Sequence, residues 1–215
     1  MDLASKQREL ELLRQRTAQL EHELQEARLA ELSWKPTAGY AAYSATTGFL
    51  LGALAAAAAL VLNVIAAPVA GRHPLELIRV YLTFPLGEQA LQLTDTARNV
   101  HAVDGGMTLT FGCCLYLATG MLLGVPFQLV LAQFGGRSLL RRLVVGAGFG
   151  LLVWVVGFYG VLSWLQPRLY GGNWIVNPQF LPPWVAAATH LVFGLTMALL
   201  YPLGEFRPLP QPEKS

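Results

Sequence analysis

Charge is what this sequence has least of. Asp, Glu, Lys and Arg make up 13% of its 215 residues, roughly half of the ~25% usual in a soluble domain. The deficit is uneven. Thirteen of the charges fall in residues 1–35, whereas none lies between Thr37 and Gly71 and none between Gly105 and Arg137. A soluble core helix of such length shows a polar face; a charge-free apolar run that long belongs in lipid. Cysteine is almost as scarce. Cys113 and Cys114 are adjacent in an apolar run. Helical neighbours diverge by about 100°, so the pair suits neither a disulfide framework nor a CxxC redox or zinc site. Both read as small buried hydrophobes.

Other absences exclude functions. No apolar run carries an acidic residue, and proton- or sodium-coupled transporters use intramembrane carboxylates. A passive facilitator stays open. No GxSxG, HExxH or Ser-His-Asp constellation occurs, and no glycine pair is followed by the Lys-Ser/Thr of a phosphate loop. The basic residues are not clustered among aromatics, which excludes nucleic acid as a partner. No secretory signal is visible, because the charged stretch before the first apolar run is too long for one.

What is present predicts an all-α protein: a four-helix transmembrane bundle with an N-terminal cytoplasmic helix. Residues 1–35 form the first part, 36–203 the membrane domain, and 204–215 a proline-rich tail without regular structure. The spans fall at about residues 44–67, 107–134, 143–165 and 184–201, each near the ~20 residues that cross a bilayer. Between the first two, Leu75–Thr83 reads as a short helix stopped by Pro85 and Gly87. It is too short to span and should lie at the interface or re-enter; Glu88–Leu93 follows as a second short helix. Pro126 predicts a kink in the second span. Residues 166–183, dense in Trp, Tyr, Asn, Gly and Pro, should cap the bundle end. Gly120 and Gly124, and again Gly146 and Gly150, form GxxxG pairs that let helices approach closely.

Residues 3–30 carry a heptad pattern. Leu10 and Leu24 take position a, Leu13 and Leu20 position d. Glu9 faces Arg14, Arg16 faces Glu21, and Glu23 faces Arg28 in the g-to-e′ sense, all opposite in sign, as a parallel coiled coil requires. The segment is expected to self-associate or to pair with a membrane-complex partner. With four spans, eleven of the fifteen Lys and Arg fall on one side of the bilayer, which places both termini in the cytoplasm.

His190 is the most distinctive residue. It lies about six residues inside Trp184, hence roughly 9 Å into the last span. An ionisable group there faces the bundle or a wet cavity. It could ligate haem, relay a proton or bond a quinone; alternatively it is a neutral histidine joining helices through Asn63, Thr119 or a carbonyl. A two-histidine haem site needs a second intramembrane histidine, and His22, His73 and His101 all lie outside the spans. No cofactor is therefore expected. His101 and Asp104, with His73, form a weak metal candidate in the first connection; Asp104 is equally a helix cap.

The segments Tyr81-Leu82-Thr83-Phe84-Pro85-Leu86-Gly87, Cys114-Leu115-Tyr116 and His190-Leu191-Val192-Phe193-Gly194 resemble small bacterial multi-span proteins of the inner membrane with no assigned activity. The resemblance implies a bacterial inner membrane and no site. Three functions follow as expectations. The first is a non-catalytic accessory, assembly or scaffolding subunit working through residues 3–30. The second is a small transporter or channel with a path near His190. The third is a redox subunit associated with quinone or haem.

Overall fold

The computed structural model describes residues 3–33, 38–69, 71, 76–92 and 103–206. The chain divides into two units, Met1–Gly39 and Tyr40–Ser215. Every regular element among the described residues is helical.

The first unit is built on α1 (Leu3–Ser33). α1 contains neither glycine nor proline, the two residues that most weaken a helix. Its own side chains support it one turn apart: Thr17 Oγ1 donates to the Leu13 carbonyl at 2.8 Å, and Gln19 Nε2 to Glu23 Oε1 at 3.0 Å. Leu10, Leu13, Leu20 and Leu24 are all exposed, at 47–63%.

The second unit contains α2 (Ala38–Val69), α3 (Glu76–Leu86), α4 (Gln89–Gln92), α5 (Val103–Phe134), α6 (Leu139–Val155), α7 (Ser163–Tyr170) and α8 (Pro183–Leu200). A π-helical segment, Val156–Leu162, joins α6 to α7, giving one helical run, Leu139–Tyr170. Among the described residues, four helices are long and apolar enough to cross a membrane: Tyr40–Val69, Thr110–Phe134, Leu139–Tyr170 and Pro183–Leu203.

Two glycine-lined contacts set how closely these helices approach. Gly48 and Gly52 of α2 meet Gly120 and Gly124 of α5. A Cβ on Gly52 would collide with the Gly120 carbonyl oxygen and come within 2.9 Å of the Gly124 Cα. Gly146 and Gly150 of α6 lie against the backbone of Gly194 and His190 on α8 in the same way. Lipid offers no hydrophobic drive between helices, so this backbone proximity and its van der Waals contact carry the association. Between the two contacts lies an aromatic centre. The Phe127 ring meets Phe149 and Phe193 edge-on, with centroids 4.7 and 5.0 Å apart, in the arrangement the ring quadrupoles favour.

α3 packs into the protein interior. Leu77, Ile78, Val80, Leu82 and Thr83 are all buried, and a Cβ on Gly112 of α5 would press on Ile78 and Leu82. Its 11 residues span about 16 Å, half a bilayer core. Pro85 sits inside its last turn rather than stopping it. The stop is Gly87, whose φ of 62° needs no Cβ, and whose N–H bonds the Thr83 carbonyl at 3.0 Å.

The third long helix also exceeds its expected end at Leu165. Gln166, Pro167 and Arg168 are polar or helix-breaking by type, yet all lie in α7. Pro167 cannot donate to the Ser163 carbonyl, and Asn173 Nδ2 does so instead at 3.4 Å. The helix ends at Gly171, φ 75°. Cys114 is exposed on the bundle surface, not buried as its apolar surroundings suggested, while Cys113 is half-buried. Gly204 accepts from Gln128 Nε2 at 3.3 Å, and the Phe206 ring lies against Tyr40 and Tyr43. The chain therefore packs beyond residue 204, where the tail was expected to begin; residues 207–215 lie outside the described residues.

Candidate functional site

A cavity of about 230 Å³ opens inside the bundle. It lies at the end where α2 finishes and α5 and α8 begin. Asn63 comes from the last turns of α2, Tyr116 and Thr119 from the middle of α5, and Thr189 and His190 from the first half of α8. Tyr81 enters from α3. Gly157, Phe158 and Leu162 of the π segment close one side, and Ile175 and Leu181 of the 171–182 connection help to cover it. The widened π turn thus supplies three lining residues; such turns are frequent at functional sites.

The walls are mostly apolar, and the polar groups on them are already engaged. The Tyr81 hydroxyl donates to Thr119 Oγ1, and Thr119 donates to the Leu115 carbonyl at 2.9 Å. Thr189 Oγ1 lies 2.6 Å from Asn63 Oδ1 and 2.8 Å from the Val185 carbonyl, and Asn63 Nδ2 lies 3.5 Å from the Tyr116 hydroxyl. Thr189 has one proton for two acceptors. With the amide turned, Asn63 would donate to Thr189, Thr189 to Val185, and Tyr116 to Asn63, giving each of these contacts one proton. In either orientation Asn63 contacts both Tyr116 and Thr189. This joins α2, α5 and α8 by polar contacts of the kind that stabilise membrane bundles by about 0.6 kcal/mol each.

His190 is the exception. Its Nδ1 donates to the Ala186 carbonyl at 2.8 Å, four residues back on α8. Its ring meets Phe158 edge-on at 5.4 Å. Nε2 has no hydrogen-bond partner among the described residues.

The three intramembrane polar residues singled out in the sequence, His190, Asn63 and Thr119, all line this cavity. His190 bonds within its own helix; neither Asn63 nor Thr119 is its partner. His73, His101 and the Asp104 side chain lie outside the described residues, among which no group of three His, Cys, Asp or Glu is placed to hold a metal.

Four contributors were not recognisable as such in the sequence. Tyr81, Tyr116 and Thr189 are common residue types with nothing local to mark them. Gln166 had one signal: a Gln just beyond an apolar run is either the start of a loop or a buried anchor. Here it is fully buried. Its Nε2 donates to Thr83 Oγ1 at 2.9 Å, and its Oε1 accepts from the Trp174 and Ile175 amides at 2.9 and 3.0 Å. One side chain thus fastens α3 and the covering connection to α7, beside the cavity.

Comparison with known proteins gives no match to a family model, a curated protein or a solved structure.

Proposed function

We propose that this chain is a non-catalytic multi-span membrane protein whose bundle binds a small, mostly apolar molecule. The carrying observation is the cavity itself. At about 230 Å³ it exceeds the ~150 Å³ apolar cavity known to hold benzene. Its polar groups converge at a few points on apolar walls, as in small-molecule sites. Asn, Thr, Tyr and His supply hydrogen bonds without fixed charge, which suits an uncharged guest arriving from lipid, and this favours a facilitator or carrier over an ion path. The setting proposed is the inner membrane with both termini in the cytoplasm, on the strength of the Lys and Arg distribution.

The test is what leaves the membrane with the protein. Purified in mild detergent and extracted into organic solvent, the wild type should yield a small uncharged compound in near-stoichiometric amount. The Val153→Trp variant, which fills the cavity from a lining position, should yield none. An identical extract from both proteins contradicts the proposal.

A second reading concerns assembly. The exposed leucines of α1, flanked by complementary charges, support pairing of two copies through residues 3–30. An accessory or scaffolding role would use this helix whether or not the cavity is filled.

A further inference from the structure

The hydrogen bonds around the cavity define what its guest must bring. The Tyr81 proton goes to Thr119, the Thr119 proton to the Leu115 carbonyl, and the His190 Nδ1 proton to the Ala186 carbonyl. Asn63, Tyr116 and Thr189 share three contacts among themselves and Val185, which leaves one Asn63 N–H over in either amide orientation. Lone pairs also remain. In the neutral imidazole, donation from Nδ1 leaves Nε2 as the acceptor nitrogen, and His190 lines the cavity with that nitrogen unpartnered among the described residues. The Tyr81 oxygen donates once and keeps acceptor capacity.

We infer that the cavity selects an uncharged hydroxyl compound, of the phenol or hydroquinone class, whose O–H is donated to His190 Nε2. This rests on the binding function proposed above. An aromatic body fits the surroundings: the rings of Tyr81 and Tyr116 stand 5.3 Å apart edge-to-face, and Phe158 meets the imidazole edge-on. An acceptor-only guest such as a ketone or an ether has no proton for the His190 lone pair. A quinone therefore binds less tightly at His190 than its reduced form, because only the reduced form carries the proton that Nε2 takes.

The experiment compares two isosteres in the full-length protein in lipid nanodiscs: 4-propylphenol, and 1-fluoro-4-propylbenzene, which lacks the donor. Ligand-observed NMR reads binding, with empty nanodiscs correcting for partition into lipid. The phenol should bind about tenfold more tightly, the value of one good hydrogen bond. In His190→Ala the ratio should fall to about one. In the wild type, the His190 Nε2 resonance of histidine-labelled protein should move on adding the phenol and stay fixed with the fluoro compound. This second measurement needs no variant. Equal affinities for the two compounds, or an immobile Nε2 resonance under saturating phenol, overturn the inference and leave the cavity as an unselective apolar site. Failure of both compounds to bind saturably overturns it together with the proposed function.

Discussion

The imidazole of His190 is tied to the carbonyl oxygen of Ala186, 2.8 Å away and one turn earlier on the same helix. The bond fixes the ring without joining two helices. It is the His190 backbone, not its side chain, that lies against Gly150 of α6. Replacing the side chain should therefore leave the bundle intact. His190→Ala is expected to lose about 1 kcal/mol, the net worth of one hydrogen bond, in reversible unfolding in mixed micelles. A collapse of the fold would instead assign His190 a structural role between helices.

Gln166 does the opposite. Its side chain links α7 to Thr83 of α3 and to the amides of Trp174 and Ile175. In Gln166→Leu, the buried Ile175 N–H and the half-buried Trp174 N–H lose their acceptor, at about 1–3 kcal/mol for a buried group left unpaired. Hydrogen exchange at Trp174 and Ile175 should rise sharply while exchange in the α6–α8 contact stays slow. Unchanged protection at those two amides would contradict the latch.

The glycines divide by what faces them. A side chain at Gly52 strikes α5 backbone, whereas one at Gly148 meets nothing within 4 Å. Gly52→Val should cost about 1–3 kcal/mol or more through overpacking. Gly148→Ala should gain about 0.5–1 kcal/mol, since alanine is the better helix former. Steric trapping in bicelles measures both.

The pairing proposed for α1 rests on charges as well as leucines. Reversing three g-position charges together, Glu9→Arg, Arg16→Glu and Glu23→Arg, sets like against like at every g-to-e′ contact of a parallel pair. The wild type should run as a dimer in native mass spectrometry, and the triple variant as a monomer with its spans still inserted. Identical masses would remove α1 from assembly.

Much of the architecture was legible because lipid imposes it. The spans were readable in the charge-free runs, and the glycine pairs at 120, 124, 146 and 150 lie where helix backbones meet. The third span ran past its expected end because Gln166 and Pro167 were read by type alone. Neither the buried partners of the Gln nor the Asn173 side chain that serves the carbonyl freed by Pro167 is visible along the chain. The cavity was half legible. His190, Asn63 and Thr119 stand out because polar groups in lipid need a reason. Tyr81 does not: only the placement of α3 brings it to Thr119.

The most direct test of the proposed membrane-embedded binding site is a titration of propylbenzene into nanodiscs holding the wild type and, separately, Val153→Trp. Saturable one-to-one binding to the wild type, lost in the variant with the helical fold retained, is the expected result. Only linear, lipid-like uptake by both would contradict it.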